Sequence, residues 1–332
     1  MKKKILVKLP SDNEKIILSF AFLTELHNLF QEEEIHLVID EEKSEILKFL
    51  SKKFIIHNLP KDKRSLIGVH HFVVNLTDVF NVEVFFDLDE SFKSAFLGFN
   101  FRSKERYGFE NGLNKIFYNK SVLVDKNACF DLRTFELLKK KTGKDYEIKK
   151  YSPDEYIKTV EQIEKRNGES NPDFLLCVMN GKKVLEHIEL FDFICNKLEG
   201  NRMRISFWNE DDDKMAFNSE IIKQIESWPL KKPIERIVYG EYGLFIRNLY
   251  LCKGVLTDIP WIGLLAGYFG VSAFVLRKDL ESEFVPILCQ TFRANPITLV
   301  KNKNDLKMYE NNESKIVREA EFMDIFHARF NL

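Results

Sequence analysis

The sequence predicts an α/β protein of two doubly wound halves facing each other across an interdomain cleft. Three observations predict it. Apolar strand-like runs alternate with helix-like segments in the first half, a polar stretch from about Lys139 to Pro172 interrupts them, and the same alternation restarts beyond it. Such alternation implies parallel strands joined by right-handed crossovers.

The elements follow in order. Lys4 to Leu9 is an apolar run and reads as a strand; a helix follows from about Glu14 to Phe30. Ile35 to Ile39 reads as a strand, Ser44 to Lys52 as a helix and Phe54 to Ile56 as a strand. His71 to Leu76 and Val82 to Leu88 read as buried strands. Ser91 to Phe96 starts a helix, and Ser121 to Val124 is another short strand. In the second half, Phe174 to Met179, Met203 to Phe207, Leu249 to Leu251 and Ser272 to Leu276 read as strands. Leu185 to Leu198, Ser219 to Ser227 and Trp261 to Phe269 read as helices. The expected domains are 1–160 and 170–315, with a helix in 316–332 placed to pack back on the first domain.

Composition narrows the class. A chain of 332 residues exceeds the usual single core, and 30 Phe make its cores rich in aromatic rings. Fifty basic residues against fifty-one acidic leave a net charge of -1, so no global field draws the protein to nucleic acid, and any anion site is local. Cys129, Cys177, Cys195, Cys252 and Cys289 are odd in number and mostly set in apolar runs, the pattern of buried free thiols in a reducing compartment. No apolar run approaches the ~18 residues that span a bilayer. A cytoplasmic protein is expected.

Three turns carry candidate chemistry. Ser11-Asp12-Asn13-Glu14 stands between the first strand and its helix, where a carboxylate can take a proton from a substrate hydroxyl. The same Ser-x-x-Glu spacing also describes a capping box, with Ser11 as N-cap. Asn180-Gly181-Lys182-Lys183 follows the first strand of the second half, where a turn and two ammonium groups can hold a phosphate, or simply face solvent. It lacks the second Gly and the Ser/Thr of a P-loop. Thr257-Asp258-Ile259-Pro260 opens a helix whose small residues permit close packing or ligand approach; Asp258 can meet ribose or sugar hydroxyls, or cap the helix. His70-His71 and Asp211-Asp212-Asp213 lack partners at metal-ligand spacing, and no metal is expected. Lys63-Arg64 and Arg102-Ser103-Lys104-Glu105-Arg106 are basic clusters able to meet phosphates, or plain solvated faces.

Taken together, these turns resemble the heptosyltransferases, glycosyltransferase family 9, whose fold is GT-B, two facing Rossmann-like domains. Ile5-Leu6-Val7-Lys8 through Phe22-Leu23 is similar to the family's opening, with Asn13-Glu14 where Gly-Asp stands. Asp87-Leu88-Asp89-Glu90-Ser91-Phe92-Lys93-Ser94-Ala95 and Arg106-Tyr107-Gly108-Phe109 are similar to first-domain segments near the acceptor. Asn180-Gly181 and Lys183 fall at the donor-phosphate turn, without its Trp-Pro, and Asp258 through Gly270 is similar to the donor-gripping segment, without its Gly and His.

The resemblance implies an inverting, metal-independent glycosyltransferase without cofactor, moving a heptose or similar sugar from a nucleotide sugar such as ADP-heptose to a lipopolysaccharide-type, lipid-linked saccharide. Glu14 inherits the general-base position; Asp12, nearer the strand end, is the alternative. Asn180, Gly181, Lys183 and Asp258 would bind the donor. Lys8, Ser11, Arg102, Lys104 and Arg106 would bind the acceptor, with the protein peripheral at the inner face of the cytoplasmic membrane. The missing Gly and His support a competing reading, a catalytically inactive GT-B homologue that binds a ligand or partner. Dehydrogenase and kinase readings lack G-x-G-x-x-G and a P-loop.

Overall fold

The computed structural model describes residues 2–50, 52–76, 82–125, 128–147, 149–153, 158, 174–180, 202–208, 234–236, 242–277, 289–302, 305–310, 313–317 and 319–330. The chain divides into two compact units, Met1–Tyr151 with Cys289–Thr291, and Ser152–Leu288 with Phe292–Leu332.

Unit 1 is a parallel sheet of β1 (Lys4–Lys8), β2 (Glu34–Asp40), β3 (Ile55–Leu59), β4 (Val82–Asp87), β5 (Glu105–Phe109) and β6 (Lys120–Val122), in the order β3-β2-β1-β4-β5-β6. Its helices are α1 (Asn13–Leu18), α2 (Phe20–Leu29), α3 (Leu66–Asn75), α4 (Phe92–Asn100) and α5 (Phe130–Thr142), with 3-10 helices at Glu41–Phe49 and Gly112–Phe117. Successive strand residues point to opposite faces, and β4 shows what each face packs against. Phe86 meets Phe22 of α2 at 5.5 Å, whereas a Cβ on Gly98 of α4 would fall 2.2 Å from the ring of Phe85. Both rings are fully buried, so one strand anchors two helical layers.

The segment His71 to Leu76, expected as a strand, lies mostly in helix α3. Ser65 caps it by accepting from the Gly68 N–H at 3.0 Å, and Val69 and Phe72, at helical spacing, face the core. Helical periodicity outweighed the β-branched composition of that segment. The helix expected from Glu14 to Phe30 breaks at Ser19 into α1 and α2, and Ser44 to Lys52 is largely the 3-10 helix. Strand β5 and helix α5 add to the expected elements; α5 is amphipathic, ends in Lys139-Lys140-Lys141-Thr142, and stops at Gly143 with φ 70°.

Unit 2 has the sheet order β14-β13-β12-β11-β10-β7-β8-β9. Its strands are β7 (Phe174–Asn180), β8 (Arg202–Trp208), β9 (Ile234–Arg236), β10 (Gly254–Thr257), β11 (Ala273–Arg277), β12 (Ile297–Asn302), β13 (Asp305–Glu310) and β14 (Glu313–Val317). The last three form an antiparallel meander, and the rest are parallel. Leu249 to Leu251, expected as a strand, instead ends helix α6 (Tyr242–Leu251). Helix α7 (Pro260–Phe269) is almost wholly buried, and its glycines make that possible. A Cβ on Gly267 would sit 2.1 Å from the Ala294 carbonyl oxygen. In helix α8 (Glu319–Phe330), Phe322 and Phe326 pack their rings 5.8 and 5.2 Å from Phe274 of β11. The expected helices Leu185 to Leu198 and Ser219 to Ser227, with Asp211 to Asp213, lie outside the described residues.

The return of the chain to unit 1 at Cys289–Thr291 is held by one buried carboxylate. Asp131, in the first turn of α5, accepts the N–H groups of Gln290 and Thr291 at 2.8 and 2.9 Å, and the Cys289 thiol lies 3.3 Å from the same oxygen. The Tyr151 N–H donates to the Thr291 carbonyl at 2.7 Å. Cys177, Cys252 and Cys289 are buried and Cys129 half-buried, while Cys195 is outside the described residues. Burial pushes the Cys252 thiol up to about 12. Among the described residues, no helix is long and apolar enough to cross a membrane.

Candidate functional site

Both sheets reverse their strand order at one point. In unit 1 the chain runs β1 to β2 to β3 toward one edge and then places β4 on the other side of β1; in unit 2 it does the same with β7 and β10. Ligands of open parallel sheets bind beyond the carboxyl ends of the strands at such a point. The turns singled out from sequence stand there. Ser11, Asp12 and Glu14 follow β1, and Asp87 and Asp89 end and follow β4. In unit 2, Val178 of β7 is in register with Thr257 of β10, which puts Asn180 and Asp258 at the same end of neighbouring strands. Gly181 and Lys183 lie outside the described residues.

A cavity of about 460 Å³ opens in unit 1, lined by Lys8, Ser11, Asp40, Arg64, Asp89 and Ser91 together with apolar side chains of α3 and α4. Lys8 ends β1 and is 3% exposed; its ammonium donates to the Leu9 carbonyl at 2.6 Å and lies 3.4 Å from Asp40 Oδ1. Arg64 approaches the other Asp40 oxygen at 3.7 Å and pairs with Glu42. One carboxylate thus sits between two cations, and Arg64 Nε is buried without a hydrogen-bond partner among the described residues. A buried donor of this kind is a site for an anionic or hydroxyl-rich ligand.

The other wall is a network centred on Asp87, which is fully buried. Its Oδ2 accepts the Ser94 and Tyr118 hydroxyls, each at 2.7 Å, and its Oδ1 accepts the Asp89 N–H at 2.9 Å. Burial, with the Asp89 charge second, pushes the Asp87 carboxyl up to about 7 against those hydrogen bonds. Asp89 then accepts the Ser11 N–H at 2.9 Å and the Ser91 hydroxyl at 2.7 Å, tying the β1–α1 turn to the β4–α4 turn. Nothing in the local sequence marked this role for Asp87. Its environment comes from Tyr118, far along the chain.

The capping box expected at Ser11 is absent: Asp12 is the N-cap of α1, accepting the Lys15 N–H at 2.9 Å, while the Ser11 N–H is taken by Asp89. A carboxylate one residue nearer the helix wins that position. The capping box of the region belongs to Ser91 and Ser94 on α4. Glu14 is half-buried in the first turn of α1. Glu90, with φ 60°, joins α1 to α5 through Lys15 at 3.9 Å and an ion pair with Arg133.

Arg102, Lys104 and Arg106 surround the start of β5, at the amino end of the sheet, and do not line the cavity. Lys104 pairs with Glu83 at 2.8 Å. Arg106 donates to the carbonyls of Phe117 and Ser103, both at 2.6 Å. In unit 2 the N-cap of α7 is Ile259 rather than Asp258, and the Ile259 N–H is taken by the Thr257 hydroxyl oxygen at 3.0 Å. Trp261 and Leu264, which stand near the donor segment's missing residues, are buried at 2% and 0% exposure.

No family sequence model and no curated protein sequence matches the chain. Solved structures do. A glycosyl transferase family 9 protein from Veillonella parvula is 15% identical, covers 99% of this chain and 97% of its own, and superposes with a TM-score of 0.68. The E. coli heptosyltransferase WaaC with ADP is 14% identical over 98% of this chain and 99% of its own, with a TM-score of 0.66. The E. coli ADP-heptose lps heptosyltransferase II is 16% identical over 100% and 99%, with a TM-score of 0.61. Topology, two switch points and these superpositions over nearly the whole chain agree: the protein has the GT-B fold of the glycosyltransferase family 9 structures it is similar to.

Proposed function

We propose that the chain is an inverting, metal-independent glycosyltransferase that takes a heptose or related sugar from a nucleotide sugar. The observation that carries this reading is the placement of polar turn residues at the switch point of each sheet, with a cation-lined cavity at the first. Unit 1 would hold the acceptor, a lipid-linked saccharide of the lipopolysaccharide type, with Lys8, Ser11 and Arg64 meeting its hydroxyls and anionic groups. Unit 2 would hold the donor, through Asn180, Gly181, Lys183 and Asp258. Glu14 is assigned as the base because it stands at the general-base position in the resemblance to the family, and Asp12, the N-cap of α1, is the alternative. Glu14 takes the proton of the acceptor hydroxyl; the acceptor oxygen bonds to the anomeric carbon as its bond to the diphosphate breaks, with inversion. The Lys183 ammonium and a helix N-terminus balance the charge on the departing nucleoside diphosphate.

A second reading is favoured by burial of Trp261 and Leu264: a GT-B protein that binds a saccharide or partner without turnover. Calorimetric titration with ADP, UDP, GDP and an ADP-sugar separates them. The transferase reading expects one nucleotide to bind saturably, Lys183→Ala to weaken it at least about tenfold, and Glu14→Gln to abolish turnover with binding retained. No binding to any of the four leaves the second reading.

A further inference from the structure

One outer face of unit 1 is apolar where a surface layer is ordinarily polar. Helix α3 has no Asp, Glu, Lys or Arg, and its outward stripe, Ile67, His70, His71 and Val74, includes Ile67 at 72% and Val74 at 57% exposure. Helix α4 lies beside it, tied by His70 Nδ1 to Asn100 Oδ1 at 2.9 Å, and exposes Phe92 and Phe99 at 38% and 51%. The 3-10 helix Gly112–Phe117 continues the layer. Its Phe117 ring contacts those of Phe92, Phe96 and Phe99 at 5.1, 5.7 and 5.7 Å, while Leu113 and Ile116 stand out at 73% and 66% exposure. A patch this large and continuous marks an interaction surface.

Charge indicates the occupant. None of the three elements contains Asp or Glu, and their charged residues are Lys93 and Lys115, both exposed. Exposed Arg102 follows α4 directly. Of the carboxylates that flank the face, Asp62 lies 3.3 Å from Lys63, Glu83 2.8 Å from Lys104, and Glu90 pairs with Arg133, while Asp89 and Glu110 accept the hydroxyls of Ser91 and Ser121, which leaves Lys93, Lys115 and Arg102 in excess. Aliphatic tips among uncompensated ammonium groups fit an anionic lipid surface, which accepts the tips at its headgroup boundary and attracts the cations. Phe92 and Lys93 also line the 460 Å³ cavity, so the face is continuous with its mouth.

We propose that the face formed by α3, α4 and the Gly112–Phe117 helix docks on an anionic bilayer, with Ile67, Leu113 and Ile116 inserted and Lys93 and Lys115 on the headgroups. In the transferase reading, this brings the mouth of the acceptor cavity to the surface that carries a lipid-linked substrate. The docking itself needs neither nucleotide sugar nor turnover.

The test is sedimentation of the full chain with vesicles of phosphatidylglycerol and phosphatidylcholine, against phosphatidylcholine alone. Binding is expected on the anionic vesicles, at least about tenfold weaker on the neutral ones, and reduced by added salt. Leu113→Ser with Ile116→Ser should weaken it about tenfold or more, and so should Lys93→Glu with Lys115→Glu. Lys139→Glu with Lys140→Glu, on α5 in the opposite layer, should leave it unchanged. All four positions in the docking variants are exposed, and an unchanged unfolding midpoint shows that the fold is kept. Absence of wild-type binding, or binding that the docking variants do not reduce, overturns the proposal. So does a concentration-dependent dimer dispersed by Leu113→Ser with Ile116→Ser, which would make the face a contact between copies. Vesicle binding without nucleotide binding would overturn the transferase reading and leave the docking face standing.

Discussion

The two switch points have the same topology and different chemistry. At β1/β4 and the neighbouring β2 the strand ends carry two polar groups, Lys8 with Asp40, and Asp87 with Asp89, the second of which also holds the turn after β1. At β7/β10 the described residues give a tight turn held by Thr257 and a buried helix admitted by Gly263 and Gly267. Strand order therefore fixes where a ligand can sit in each half, and the turn residues decide what it meets. One half is organised by buried charge, the other by close backbone packing.

The sharpest way to break this comparison is through Asp87. Its carboxyl is raised from 3.8 to about 7, so the stability it contributes is fully present below about pH 3.8 and lost as pH rises through about 7. The expected loss across that window is about 4 kcal/mol. Urea unfolding at pH 5 and pH 8 should show the decline in the wild type and a flattened profile in Asp87→Asn; equal slopes would remove charge from the account of unit 1. Next in size is Gly267→Ala. Its new Cβ meets a main-chain oxygen that cannot rotate away, and a loss of about 3 kcal/mol in the unfolding free energy is expected, with little pH dependence.

Lys8→Met leaves Asp40 with Arg64 as its remaining cation and should cost about 2 kcal/mol by urea unfolding. The smallest effect separates neighbours: Asp12→Ala should lower stability by about 1 kcal/mol, and Ser11→Ala should change it little, because Ser11 contributes its backbone N–H rather than its hydroxyl. Equal losses in a melting comparison would restore the Ser11 cap.

Much of the frame was legible because it depends on local pattern. The runs at β1, β2, β4, β7, β8 and β11 are apolar and short, and the turn after β1 announces itself by composition. Segments with two compatible readings went astray. His71 to Leu76, with Val73 and Val74, fits a strand by composition, whereas the Ser65 cap and the Val69/Phe72 spacing favour the helix. Helix α5 is hard to see in the sequence because its polar end merges into the lysine run that opens the expected domain connection. The site divided along the same line. Lys8, Ser11 and Asp12 stand beside the cavity or at its turn, whereas Arg102, Lys104 and Arg106, a basic cluster of which Arg106 also opens a segment of the family resemblance, stand at the other end of the sheet. Asp87 acquires its character from Ser94 and Tyr118, contacts that local spacing does not reveal.

The clasp on Cys289–Thr291 bears on how the protein is made. Asp131 is wholly buried, and two main-chain donors for its carboxylate are made only after most of unit 2. On the ribosome, the first half emerges with this anion unanswered, a state that costs several kcal/mol if it is closed over dry. Unit 1 therefore cannot finish as an independent N-terminal piece. Its last contacts wait for residues translated 159 and 160 positions later, which couples completion of the first half to emergence of the second.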